Sequence, residues 1–402
     1  MPGVFKPLFS VLPRGVVILG FVSMLMDISS EMIHGLLPVY LAAGLGANML
    51  IIGLIEGFAE AIAASVKVFS GLLSDYLGKR KLLVAIGYGM AALSKPVFPL
   101  AQSLDWVIAA RFTDRIGKGI RGAPRDALIA DITPKQDRGA AFGLRQSMDT
   151  VGAFAGPLLA MVLMAASSGD FKLVFWVAVI PAFASFALVI FGVREPASAR
   201  DPAKAPEMPI RWRELGRLPA AYWAVVAVGA ALTLARFSEA FLVLQASELG
   251  LALALTPLVL VAMNVVYSAS AYPAGRFSDG RNRLTPIAIG VALLVAGDLV
   301  IASNQHLAGL AAGIILWGLH LGFTQGLLAA LVADTAPTHL RGTGFGLFNL
   351  ISGVMMLAAS VIAGALWQGF GASFTFYAGA MFATVSLVGL LFLRYSGGQK
   401  ID

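Results

Sequence analysis

The chain contains no cysteine in 402 residues. That absence excludes a disulfide framework, a thiolate metal site and a cysteine nucleophile, and it leaves the redox compartment unread. Histidine is almost as scarce, since His34, His306, His320 and His339 are the whole supply and leave little material for a histidine-rich metal site. Charge is short too. Only 13% of the residues are charged and 58% are hydrophobic, against about 25% and about 45–50% in soluble domains. This composition excludes a soluble domain and reads as an all-α polytopic membrane protein. Nor is there a G-x-x-x-x-G-K-[ST] phosphate loop, an H-E-x-x-H helix or a nucleophile elbow, so enzymatic readings and ATP-driven pumping have no support in the sequence. No cofactor is expected.

What is present are apolar runs of bilayer-spanning length. At about 20 residues per crossing, twelve spans lie near 15–42, 48–74, 82–103, 105–128, 139–167, 172–193, 219–246, 254–276, 284–303, 307–332, 342–369 and 372–394. The first follows an N-terminus without a small-residue cleavage site and reads as a retained helix. The even-numbered connections carry the basic residues, among them Lys79, Arg80, Lys81, Lys135, Arg138, Arg276, Arg281, Arg283 and Arg341, whereas the opposite loops offer only Lys172. This positive-inside asymmetry puts both termini in the cytoplasm and accounts for the net charge of +7 without a nucleic-acid partner. The expected location is a bacterial inner membrane, with the chain monomeric and the lipid bilayer its partner.

Residues 194–218 are proline-rich and charged, and they divide the spans six and six. The expected organisation is a bundle over 1–193, a cytoplasmic linker over 194–218 and a second bundle over 219–402. The halves repeat. Ala130-Asp131-x-x-Pro134-x-x-x-Arg138-Gly139-x-x-Phe142-Gly143-Leu144 recurs 203 residues later from Ala333 to Leu347, and Gly71-x-x-Ser74-Asp75 recurs 204 residues later as Gly275-x-x-Ser278-Asp279. Such a duplication points to a secondary transporter built of two related halves with a midplane solute site.

The first span, FVSMLMDISSEMIHGLLPVY from Phe21 to Tyr40, carries Asp27, Glu31 and His34. At about 100° per residue they fall within an arc of about 60°, beside Ser23 and Ser30. Ionisable groups in a span pair with one another, line water, or bind a solute or proton, because each costs roughly 2.5–3.5 kcal/mol near the bilayer centre. Three readings stay open for this stripe, one of them a structural network that pairs helices without touching a solute. Otherwise the stripe holds a divalent cation in exchange for protons, with Asp27, Glu31 and His34 as oxygen and nitrogen ligands, or it couples protons to some other solute. Arg145 and Asp149 form a further i, i+4 pair with the fourth-span charges as expected partners. Glu56, Glu60 and Lys67 share one face of the second span and read as an internal ion-pair face. Arg236, Glu239, Asn264, Tyr267, His320 and Gln325 are the polar candidates of the second half, His320 reading more readily as a packing residue.

Gly71-Leu-Leu-Ser-Asp75-Tyr-Leu-Gly78-Lys79-Arg80-Lys81 resembles the major facilitator superfamily signature G-x-L-x-D-R-x-G-R-R/K, with Tyr76 in place of a basic residue. Gly275, Asp279 and Arg281 stand in a degraded second copy. This resemblance implies two six-helix bundles and a gating role for the motif. Arg115-x-x-Lys118-Gly119 is similar to the family's fourth-helix motif R-x-x-Q-G, which implies proton coupling through Arg115. Gly152-x-x-x-Gly156-Pro157 is similar to the antiporter motif but lacks its final glycine pair, Ala160 and Met161 standing there; it implies proton-driven efflux. The resemblance also implies that spans 1, 4, 7 and 10 line the cavity, so that Glu239 and His320 face the Asp27 stripe. The combination of Asp27-x-x-Ser30-Glu31-x-x-His34 with Asp114-Arg115 through Arg125-Asp126 resembles bacterial nickel-resistance permeases, although the chain ends without a histidine-rich tail. The expectation is a proton-coupled exporter of a divalent metal such as Ni²⁺ or Co²⁺. Efflux of a small organic compound or drug is the alternative, and a non-transporting membrane sensor or assembly factor is the reading from another class.

Overall fold

The computed structural model describes residues 12–77, 79–134, 137–194, 218–278, 284–337 and 341–397. Every regular element among them is helical. Backbone groups in hydrocarbon find no water to bond, so apolar runs of this length satisfy themselves as helices. In chain order these are α1 Arg14–His34, α2 Met49–Leu77, α3 Arg80–Ser94, α4 Leu104–Ile132, α5 Arg138–Ala166, α6 Phe171–Ala187, α7 in two segments Ala220–Ala235 and Ala240–Glu248, α8 Leu258–Ser278, α9 Leu284–Ser303, α10 Leu307–Thr335, α11 Arg341–Phe370 and α12 Ala372–Gly397. Eleven helical stretches of the described residues are long and apolar enough to cross a membrane. The twelfth expected crossing, α4, has the length but carries Arg111, Asp114, Arg115, Lys118, Arg121, Arg125 and Asp126 in its middle. Lys95 and Arg145, from neighbouring elements, pair with its Asp114 and Asp126.

Some spans are interrupted where the sequence reads as continuous. After His34 a turn at Gly35 and Leu36 leads to a short helix, Leu37–Val39, and a wide π turn, Tyr40–Gly44. The α7 interruption covers 236–239. With the 203-residue repeat, Gly35 corresponds to Ser238, so the two halves break at matching places. α3 stops at Ser94 before Lys95 and Pro96, then resumes as Val97–Leu100; a proline withholds a donor and disfavours helix in the residue before it.

The chain packs as two compact units, one of Met1–His34 with Ser65–Met208, the other of Gly35–Ala64 with Pro209–Asp402. Residues 35–64, expected in the first bundle, therefore group with the second. Their seam is made of glycine. A Cβ at Gly57 would lie 3.0 Å from Leu357 Cα, one at Gly353 3.0 Å from Ala64 Cβ, and one at Gly364 3.0 Å from Leu50 Cα. The Met49 N–H also donates to Gln368 Oε1 at 3.1 Å. Backbones can approach this closely only where side chains are missing.

In the first unit α1 is packed on both sides. Val16 and Leu19 join Leu128, Ile129, Leu144 and Met148 of α4 and α5, while Val22 and Met26 join Val84, Tyr88, Ala91 and Ala182 of α3 and α6. α3 and α4 meet at Gly87 and Gly117, where a Cβ on Gly117 would come 2.6 Å from the Gly87 carbonyl. In the second unit Tyr222 is buried with Val225, Val226 and Val332 and donates to the Gly344 carbonyl at 2.8 Å. The linker residues 195–217 lie outside the described residues.

Candidate functional site

The charged groups of the first unit form one connected network around α1, α3, α4 and α5. Lys95, just past the end of α3, is 2% exposed and extends its ammonium to Asp114 Oδ1 at 2.9 Å and Ser30 Oγ at 3.0 Å. The other oxygen of Asp114 lies 3.6 Å from Arg115 Nε. About two turns of α1 earlier, Arg125 Nη1 donates to Ser23 Oγ at 2.6 Å, and that hydroxyl also lies 3.2 Å from the Tyr88 hydroxyl. The Arg121 guanidinium stands 4.7 Å over the Tyr88 ring, a cation–π contact. Arg145 bridges Asp126 at 3.2 Å and Asp149 at 3.3 Å, as the i, i+4 spacing on α5 led one to expect.

The α1 stripe enters this network at its acidic positions. Glu31 Oε2 is 3.4 Å from His34 Nδ1 and lies in the field of Lys118 and Arg115. Asp27 lies in the field of Asp149 and of three cations, Arg121, Lys118 and Arg125. The resemblance to an antiporter motif acquires a physical meaning here. A Cβ at Gly152 would meet Asp27 Cβ at 2.8 Å, and one at Gly156 would meet Glu31 Cβ at 2.8 Å and the Ile28 carbonyl at 2.7 Å. Gly152 and Gly156 thus let α5 lie directly against the two carboxylate-bearing turns of α1, and the next residue, Pro157, is buried within α5.

The three proposed metal ligands are a pair and a neighbour rather than a cage. Glu31 and His34 touch, but among the described residues no three His, Asp or Glu side chains are grouped to hold a metal ion. Asp27 is one turn away, turned into the basic environment of α4. Lys67, expected on an ion-pair face with Glu60, lies in the field of Asp126, Arg125, Arg145 and Lys118.

Of the gating residues, Gly71 packs with its α-carbon toward α4, where a Cβ would be 3.3 Å from Ala123 Cβ. The preceding Ser70 hydroxyl donates to the Gly119 carbonyl at 2.8 Å. Arg80 reaches Asp131 at 3.1 Å, so the Gly71–Lys81 signature is tied to the duplicated Ala130–Leu144 motif within this unit. Lys79 is exposed at the start of α3. Gly78, Asp279 and Arg281 lie outside the described residues, as do the side chain of Asp75 and the surroundings of Gly275.

In the second unit Arg236 and Glu239 occupy the α7 interruption, and Arg236 feels Glu239, Tyr267 and Glu60. Tyr267 donates to Gln325 Oε1 at 3.3 Å. His320, expected to face the Asp27 stripe, lies on α10. It is fully buried, its Nδ1 lies 2.8 Å from the Gly290 carbonyl, and its ring stacks edge-on against Trp317, so it is a packing residue between α9 and α10.

Two residues escaped the sequence reading. Lys95 and Asp298 each sit as an isolated charge in an otherwise apolar span, and that isolation was the available signal.

A transporter family model matches residues 19–360 of this helical, duplicated chain. The chain belongs to the Major Facilitator Superfamily. Superfamily members are transporters, not enzymes. An uncharacterised MFS-type transporter of Methanocaldococcus jannaschii is 31% identical over 95% of both chains. The inner membrane transport protein YajR of Escherichia coli is 25% identical over 92% of this chain and 81% of its own. The structure of a POT family transporter in complex with a thioalcohol-conjugated peptide superposes with a TM-score of 0.78 at 12% identity, covering 97% of each chain, a likeness that shows the fold.

Proposed function

We propose that this superfamily member is a proton-coupled secondary transporter of the cytoplasmic membrane whose cargo is a small organic molecule bearing a negative charge. The observation that carries this reading is the sign of the network. Among the described residues, Lys67, Lys95, Arg115, Lys118, Arg121, Arg125 and Arg145 face Asp27, Glu31, Asp114, Asp126 and Asp149. Seven cations against five carboxylates repel a divalent metal ion, since like charges a few ångströms apart in a low-dielectric site cost several kcal/mol. An anionic group instead finds the donors it needs, bidentate at arginine.

The same geometry suggests how protons enter. Asp27 competes with an anionic cargo for Arg121 and Arg125. A proton on Asp27 withdraws that competitor, so proton and anion bind each other's state and travel together. A second reading is supported by Gly152 and Gly156, whose likeness to the antiporter motif favours export in exchange for protons. That mode suits a cationic compound or metal, because cation and proton compete for one carboxylate.

Purified protein in liposomes separates the two. Imposed proton gradients should drive accumulation of organic anions tested as a panel, with Asp27→Asn uncoupling cargo from pH. Release of protons on adding Ni²⁺, Co²⁺ or organic cations, with no anion moved, would reverse the assignment. Both termini and the linker are assigned to the cytoplasmic face by the basic loops, and the chain to a monomer.

A further inference from the structure

α9 carries a single charged residue, Asp298, in LTPIAIGVALLVAGDLVIAS. Its side chain is wholly buried. Oδ1 accepts a hydrogen bond from Trp317 Nε1 at 2.9 Å, and among the described residues Oδ2 is buried with no hydrogen-bond partner.

The duplication sharpens the oddity. Lys95 and Asp114, 19 residues apart, cross-link α3 to α4 by a buried ion pair. Shifted by the 203-residue repeat, these positions become Asp298 and Trp317, again 19 residues apart and again bonded across a helix pair. In the first copy the charge is compensated. In the second a carboxyl faces an indole, which offers a hydrogen bond but no charge. An ionised carboxylate so placed is far costlier than the neutral acid, which has shed its hydration demand.

The remaining walls are named readily. On α10 stand Trp317 and His320, the latter with Nδ1 committed to Gly290 and, among the described residues, Nε2 without a partner. The α7 interruption contributes Phe237, while Arg236 of the same stretch lies in the field of His320, Glu239 and Tyr267. On α12 is Gly379, where a Cβ would fall 2.5 Å from Asp298 Oδ2 and 3.0 Å from Phe237 Cε1. The bare glycine makes room for both groups. Phe237 is 3% exposed, and its ring centroid lies 5.5 Å from both Trp317 and Phe376. An aromatic from the non-helical stretch of α7 and the unpartnered oxygen thus both border the space left at Gly379.

We propose that Asp298 is a second proton-binding site, in the second unit, and that Phe237 is its cover, lifting when the interrupted α7 changes its bend. The proposal deepens the proton coupling given above and rests on it, but not on the nature of the cargo. The proton comes from water admitted past Phe237 and returns the same way, with Trp317 holding Oδ1 throughout.

Infrared difference spectroscopy on the purified full chain tests this without a substrate. The expected result is a carboxylic-acid carbonyl band that responds to pH steps, shifts in heavy water and is missing in Asp298→Asn, whose amide oxygen keeps the Trp317 bond. In Phe237→Ala the heavy-water shift should develop about tenfold faster, since local opening sets the exchange. If Asp298→Asn does not fold, Trp317→Phe removes the bond to Oδ1 and must move the same band. A band indifferent to pH and to heavy water, or none assignable to Asp298, overturns the proposal. So does an Asp298→Asn protein that moves cargo with the wild-type number of protons. Responsive bands with no organic anion carried would sink the cargo reading alone.

Discussion

Removing one partner of the Lys95–Asp114 pair should be unequal in cost depending on which partner goes. Both side chains are almost fully buried, 2% and 3% exposed, so the deleted charge leaves its partner stranded; breaking a buried pair in this way costs about 3–5 kcal/mol. Asp114→Leu strands Lys95 with the Ser30 hydroxyl, at 3.0 Å, and the full range applies. Lys95→Met leaves Asp114 with Arg115 Nε at 3.6 Å, so the loss should fall toward roughly 1–3 kcal/mol, that of a buried group losing a bond but not its compensation. The double variant Lys95→Met with Asp114→Leu removes both charges and should recover most of the loss, since apolar replacement of a buried pair is often neutral. Thermal unfolding in detergent, followed by tryptophan fluorescence, gives the double-mutant cycle, with a coupling above about 1 kcal/mol expected. Equal costs for the two single variants, or strict additivity, would refute the argument that this pair is a desolvated unit with Arg115 as its reserve.

Gly156→Val places a branched side chain where even a Cβ sits 2.7 Å from the Ile28 carbonyl; α5 must back away from α1, with about 1–3 kcal/mol of overpacking and loss of transport, both measured on the same preparation. Tyr88→Phe keeps the ring under Arg121 but drops the hydroxyl beside Ser23, costing about 1 kcal/mol, whereas Tyr88→Leu also loses the cation–π contact, a further 0.5–2 kcal/mol or so; equal melting temperatures for the two would remove that contact from the account. Arg80→Gln, breaking a half-exposed pair with Asp131, should change stability by less than about 1 kcal/mol, and any larger loss would mean that the contact is more than a surface ion pair. Because the chain has no native cysteine, Ala203→Cys in the linker and Ser103→Cys in an opposite loop are each the sole thiol; an impermeant reagent on intact cells should label Ser103→Cys and spare Ala203→Cys, and the reverse pattern would invert the proposed topology.

Length and hydropathy determined the helical class and eleven of the crossings, because an apolar run in hydrocarbon has one way to satisfy its backbone, and the repeated motifs showed the duplication. Charge spacing on α5 likewise fixed the Arg145–Asp149 pair, and α1 carried its acidic stripe in plain view. What periodicity along one helix cannot report is which other helix supplies the counter-charge. Lys95 reaches Asp114 and Ser30 only because Gly87 and Gly117 let α3 and α4 close on each other, and Asp27 meets the α4 cations only because Gly152 and Gly156 remove the side chains between α5 and α1. His320, on a span expected to line a cavity yet reading more readily as a packing residue, is turned inward to the Gly290 carbonyl. A helix has a lining face and a packing face, and residues on either look alike until the neighbouring backbones are in place.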